Sequence, residues 1–229
     1  DPVRARGEAV GLTPFTWKST KMDACRPTSG QNLAAGNNVM SKETEQDSQN
    51  EAWWDAAQEG AELLREGELD AARVELETQL ASDSENPYVY FFLGSVHFEA
   101  AAFDRSMKAY LECLQRSPDH LGAMSGLGWA LQGMGRYKES IRTAQQLLHR
   151  KKVDPDALHL LGVCHFCLGE SQAAKRYLEQ FLETRPEIEV AMEVQGMLDT
   201  VGGQVEPVEE GRIPPGEGLP PGEGGPGSD

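Results

Sequence analysis

The sequence predicts an all-α protein built of stacked helix pairs, and three observations predict it. Five glycines, Gly60, Gly94, Gly128, Gly162 and Gly196, stand at one spacing of 34 residues. They lie in stretches that otherwise read as helix, where a glycine costs roughly 0.5–1 kcal/mol against alanine. Asn86-Pro87 and Asp154-Pro155 each set an N-cap residue before a proline at the first helical position, and both fall where a new unit starts. In "FDRSMKAYLECLQRSP" the apolar positions Phe103, Met107, Tyr110, Leu111 and Leu114 recur at three- and four-residue steps, as one face of a helix requires. A small residue at a fixed place lets two helices approach closely, which explains a glycine repeated inside a helix.

The elements follow in chain order. Residues 1–39 show neither helical nor strand periodicity, and five cations (Arg4, Arg6, Lys18, Lys21, Arg26) face three acids (Asp1, Glu8, Asp23). No apolar core of a secretory signal is present. A basic, acid-poor transit peptide, an unstructured extension, and a tag or upstream read-through before a native start at Met40 all fit. The last two are favoured, and residues 1–49 are expected to be a disordered extension. The domain proper is expected over 50–201, with units at 53–86, 87–120, 121–154 and 155–188 and a capping helix over 189–201. The N-terminal helix opens with Trp53-Trp54. A second glycine seven residues after the first, Gly67, Gly135 and Gly169, is expected to close the first helix of each unit (helix A), with Ala101 in its place in the second. Small residues twelve beyond the first glycine (Ala72, Ser106, Ser140, Ala174) and larger or apolar ones four further on (Leu76, Tyr110, Ala144, Leu178) mark the second helix (helix B).

One unit cannot bury its apolar face alone, so the last needs a polar cap. In "PEIEVAMEVQGMLDTVGG" Val190, Val194, Met197, Leu198 and Val201 form a stripe, Glu187, Glu189, Glu193 and Asp199 face water, and Gly202 suits a C-cap. Residues 202–229 close as an acidic Gly/Pro/Glu-rich tail, expected to be disordered.

These residues carry a resemblance to the 34-residue tetratricopeptide repeat, with Leu-Gly recurring as Leu93-Gly94, Leu127-Gly128 and Leu161-Gly162, and proline ending units at Pro118 and Pro186. Glu59 and Gln195 depart from the leucine, Ser84 and Lys152 from the proline, and Gln79 from a small residue. The resemblance implies a right-handed α-solenoid of four helix pairs with a C-terminal capping helix. It also implies an inner groove lined by the second, fifth, ninth and twelfth places of each helix A. In unit one these are Trp54, Ala57, Ala61 and Leu64; in unit two Tyr88, Phe91, Ser95 and Phe98. Unit three supplies Gly122, Ser125, Trp129 and Gln132, and unit four Asp156, His159, Val163 and Phe166. Such a groove is aromatic and poor in charge, suited to an apolar or amphipathic segment of a partner protein; plain packing of crowded helices also fits those residues. The carboxylate-clamping subtype of the family needs Lys, Asn and Arg where this chain has Ala57, Ala61, Phe92, Gly122 and Gly126, so that function is not expected. The stretches "YFFLGSVHFEAAAFDRSMKAYLECLQRSPD", "GLGWALQGMGRYKESI" and "VQGMLDTV" are similar to the acidic chaperones of type III secretion translocators, which implies an alternative: a chaperone holding one apolar client before export. Self-assembly, with the groove filled by a second copy, is a third.

Composition narrows the classes. Lys and Arg total 21 against 37 Asp and Glu, a net charge of −16, which argues against nucleic-acid and anionic-lipid binding. No apolar run approaches the ~20 residues of a membrane span, and four cysteines without framework spacing suggest a reducing, cytoplasmic setting. "CHFC" (Cys164, His165, Cys167) lacks the second ligand pair of a zinc site and sits inside a helix, so buried cysteines are expected, not metal or redox chemistry. "HRKK" (149–152) reads as cations at a helix C-terminus, or alternatively as a basic docking patch. No phosphate loop, nucleophile elbow or metal motif occurs, so neither catalysis nor a cofactor is expected.

Overall fold

The computed structural model describes the backbone of residues 40–203 and the side chains from Asp47 onward. The expected features of residues 1–39 and 204–229 lie outside the described residues. Among the described residues nine helices follow in order: α1 Met40–Glu66, α2 Leu69–Ser82, α3 Pro87–Glu99, α4 Phe103–Arg116, α5 Leu121–Gly133, α6 Tyr137–Arg150, α7 Pro155–Cys167, α8 Ser171–Glu183 and α9 Ile188–Val201. Each packs on the next, and α1, α3 and α5 each also meet the following odd-numbered helix. The molecule is thus an all-α solenoid of four A/B pairs ending in α9. Helix α1 reaches upstream of the Trp53-Trp54 opening to Met40; Lys, Glu and Gln in "MSKETEQDSQNEA" are good helix formers, but without an apolar period they left no pattern to read.

The repeated glycines are seats for side chains of neighbouring helices. A Cβ at Gly60 would stand 2.5 Å from Leu76 Cδ2, one at Gly94 2.6 Å from Tyr110 Cε1, and one at Gly162 2.7 Å from Leu178 Cγ. In each case the occupying residue lies sixteen positions later, on the unit's own helix B. At the third unit that residue is Ala144, too small to fill the seat, and Leu160 of α7 takes it instead. Tyr110 is wedged between Gly94 and Gly126, fully buried. The small residues twelve after the glycines are fully buried too. Ser106 Oγ donates to the Gly94 carbonyl and Ser140 Oγ to the Gly128 carbonyl, each at 2.8 Å.

Local sequence sets the ends of the helices. Asn86 Oδ1 accepts from the Tyr88 amide at 2.9 Å and Asp154 Oδ1 from the Ala157 amide at 3.0 Å, with Pro87 and Pro155 at the first turn. Gly67, Gly135 and Gly169 end their helices at φ +86°, +72° and +74°, and Ala101 is held at the same place with φ +53°. An L-residue in that region is strained by roughly 1–2 kcal/mol. On α9 Gly202 is the C-cap at φ −74°, and the left-handed residue is Gly203.

Two arginines tie units together at the turns. Arg116 Nε donates to the Ser84 carbonyl and Arg150 Nη1 to the Pro118 carbonyl, both at 2.9 Å, each reaching back 32 residues. Arg150 also pairs with Asp119, and Lys151 with Asp154 at 3.0 Å. The "HRKK" run therefore spends Arg150 and Lys151 on holding its own turns.

Gly94→Ala is expected to destabilise by about 1–3 kcal/mol, overpacking against Tyr110 outweighing the helix-propensity gain. Gly196→Ala, where a Cβ meets nothing within 4 Å, is expected to stabilise by about 0.5–1 kcal/mol. Urea unfolding distinguishes them; shifts of the same sign would refute the seat. By the same measurement Ala101→Gly is expected to gain up to about 1 kcal/mol through relief of its positive φ.

Candidate functional site

The two helix classes differ in kind. Helices α4, α6 and α8 bury one stripe each, at Ser106, Tyr110 and Cys113; Ser140, Ala144 and Leu147; Ala174, Leu178 and Phe181. The A helices α3, α5 and α7 are apolar almost all round and buried over most of their length, as helices without a polar face must be. The inner-face positions expected from the repeat register all lie on such helices or on α1.

They form two ring clusters. Trp54 stands edge-on to Tyr88 at 5.5 Å and tilts against Phe92 at 5.7 Å. Phe91 meets Phe92 at 5.1 Å and His120 at 4.6 Å, and Tyr88 meets His120 at 5.6 Å. Further along, Trp129 is edge-on to His159 at 5.1 Å, and His159 stacks on Phe181 at 4.5 Å. Phe98 packs on Phe103 of its own unit at 5.5 Å. Polar groups are set among these rings. The Ser95 hydroxyl donates to the Phe91 carbonyl at 3.2 Å and lies 3.1 Å from the Tyr110 hydroxyl, while Ser125 Oγ donates to Asp156 Oδ2 at 3.3 Å.

Burial divides eleven of the sixteen expected inner-face residues. Trp54, Tyr88, Phe91, Ser95, Phe98, Ser125, Trp129, His159 and Val163 are all at 8% exposure or less, Phe91 at 0%. Gln132 and Phe166, in the last turns of α5 and α7, are half-buried. Packing accounts for Phe91, two of whose ring neighbours, Phe92 and Tyr110, are themselves at 0%. Residues that sequence reasoning missed are His120, which joins Tyr88 and Phe91, and Phe181, the stacking partner of His159. The signal for His120 was its position, 34 residues from both Asn86 and Asp154.

His120 caps α5. Its Nδ1 accepts the Ala123 amide at 3.0 Å, so that nitrogen is unprotonated and the proton of the neutral ring is on Nε2. Nε2 is shut away from water with no hydrogen-bond partner. Burial pushes the imidazole down to about 4.

The "CHFC" residues do not converge on a ligand. Cys164 is buried, its thiol 3.2 Å from Ser140 Oγ, and burial pushes it up to about 12, so it is protonated at neutral pH. His165 faces Glu170 through Nδ1 and stacks on Tyr177 at 5.5 Å. Among the described residues no group of three His, Cys, Asp or Glu side chains is arranged to hold a metal ion, and no helix is long and apolar enough to cross a membrane.

The sequence matches the tetratricopeptide repeat family over residues 57–120 and 125–187. Tetratricopeptide repeat protein 37 of Xenopus laevis is 26% identical over 147 residues, covering 64% of this chain and 9% of its own length. Superkiller complex protein 3 of Mus musculus is 24% identical over 132 residues, 58% of this chain and 8% of its own length. The chain thus spans about a tenth of these relatives. Among solved structures, PilW, described as a widely conserved type IV pilus biogenesis factor, superposes with a TM-score of 0.61 at 21% identity, covering 67% of this chain and 71% of PilW. That likeness is one of fold.

The lowered His120 value sets a pH dependence. Between its ordinary value of 6.5 and about 4 the unfolded chain takes a proton that the folded chain refuses. Stability is therefore full above pH 6.5 and falls as pH drops toward 4. From pH 8 to pH 5 this amounts to about 2 kcal/mol. His97, also lowered chiefly by burial, acts in the same direction. His120→Asn keeps a capping acceptor without the titration, and urea unfolding at the two pH values is expected to show the smaller drop in the variant. Equal drops would refute the assignment.

Proposed function

The chain belongs to the tetratricopeptide repeat family, whose stacked helix pairs are protein–protein interaction scaffolds, and we propose that this one takes up an apolar or amphipathic segment of a partner protein along its A helices, without catalysis of its own. The observation that carries the reading is the absence of a polar face on α3, α5 and α7. At the last turns of α5 and α7 that apolar side is only half covered, at Gln132 and Phe166, which leaves room for a partner to complete it. The polar groups set into that side (Ser95, Ser125, His159 and Asp156) support it, since recognition surfaces combine a mostly apolar lining with a few placed polar groups.

The burial pattern supports one route of access to this surface. Phe91, Ser95 and Val163 are interior, and Trp54, Tyr88, Phe98, Ser125, Trp129 and His159 are buried too, which leaves the half-buried last turns of α5 and α7, at Gln132 and Phe166, as the accessible edge. A segment docking at that edge brings an apolar side chain against Phe166 and a backbone or side-chain polar group to Gln132.

Gln132→Arg combined with Phe166→Glu changes this edge and leaves the fully buried residues in place, although the inner side of Phe166 packs on the core. Capture from native extract, followed by cross-linking to the retained protein, is expected to recover a partner with the native chain and to lose it at least tenfold with the variant, circular dichroism showing equal helix content. Equal retention would move the binding surface away from the A helices. Recovery of a single aggregation-prone client, not several partners, would favour the export-chaperone reading over a general scaffold.

A further inference from the structure

Helix α9 is the A helix of a fifth unit whose B helix is missing from the described residues. On α7 the face made by Leu158, Leu161, Gly162 and His165 lies under α8: Leu178 seats at Gly162, and Tyr177 stacks on His165. Thirty-four residues on, α9 presents Met192, Gln195, Gly196 and Asp199 at the same places. Met192 is 70% exposed, Ile188 on the same face 75%, and the seat at Gly196 is open. Beside it α8 and α9 leave a cleft of about 520 Å³ with Leu182 and Leu198 at its floor and Glu179, Glu183 and Asp199 around it. Within residues 204–229 the longest stretch free of proline is six residues, whereas the four B helices run 13 or 14 residues without one. Interior proline costs about 3 kcal/mol in a helix.

We propose that this end face of α9 docks an amphipathic helix of a partner protein, which serves as the fifth helix B, places an apolar side chain in the Gly196 seat, and carries lysine or arginine beside its apolar stripe. Charge selects the occupant. Glu179, Glu183, Glu189 and Asp199 surround the face, and the cation within it, Lys175, stands 3.8 Å from Glu179. A second copy would bring the same carboxylates against these, in a chain of net charge −16, and like charges oppose that pairing. A basic amphipathic helix meets both the apolar seat and the acidic rim. This surface lies at the end of the array, apart from the inner face, so the two readings fail independently.

The probe is a labelled peptide of residues 171–183, the segment that covers the matching face of α7, carrying Glu179→Lys and Glu183→Lys. Fluorescence anisotropy against the full chain is expected to show saturable binding that weakens with salt. Gly196→Leu in the full chain fills the seat, and Met192→Glu charges its rim; each is expected to weaken binding at least tenfold. Because a side chain at position 196 meets open space, the unfolding midpoint of Gly196→Leu is expected to equal or exceed that of the native chain, which separates a blocked seat from a damaged fold. Binding that is equal in the native chain and both variants, or absent up to millimolar peptide, overturns the proposal. A concentration-dependent dimer in light scattering that Gly196→Leu abolishes overturns it also, by assigning the face to a second copy.

Discussion

The whole array depends on how closely two helices can approach within a unit, and a glycine of helix A sets that distance. Leu76, Tyr110 and Leu178 occupy space that any Cβ on Gly60, Gly94 or Gly162 would claim. The serines behind these seats answer a second requirement. Ser106 and Ser140 bond the carbonyl of the seat glycine itself, so a buried hydroxyl and the backbone of the facing helix are linked where the helices are nearest. A buried hydroxyl without such a partner costs about 1–3 kcal/mol, which limits that position to alanine or a serine within reach. The chain uses both.

Much of this was legible because the repeat states each requirement several times. A glycine in one helix means little; the same glycine at a constant interval, with a larger residue sixteen later and a small one twelve later, describes a helix pair. The exceptions were as informative. Ala144 breaks the size pattern, and the next unit compensates with Leu160; this is a long-range substitution that no local pattern contains. His120 was passed over because histidine is not a usual capping residue, although its register gave it away. The start of α1 was missed for the opposite reason, since a helix without an apolar period leaves only propensity to read.

For the expected inner-face positions the sequence shows register and not depth. Periodicity says which residues share a side of a helix, and says nothing of how far the adjacent helix closes over them. Phe91 and Phe166 share a face by spacing, yet Phe91 is closed in by Phe92, Tyr110 and His120 while Phe166 stays half-open. What separates them is the size of the neighbouring side chains in three dimensions. The same limit applied to α9. Val194 and Met197 were correctly read as its buried side, but the exposure of Ile188 and Met192 follows from the absence of a neighbour among the described residues, which a helical wheel does not show.

The contrast between apolar A helices and amphipathic B helices also bears on how the chain is made. Within the second, third and fourth units the helix that cannot tolerate water is synthesised first, and the helix that shelters it second. At about 5–20 residues per second, the helix B that follows α3, α5 or α7 takes on the order of a second to emerge. During that interval the newest A helix is a bare apolar rod, covered on one side at most by the unit made before it. The order of elements thus makes the growing tip of the array its stickiest part, and each completed pair both buries the last exposed helix and prepares the surface on which the next will land.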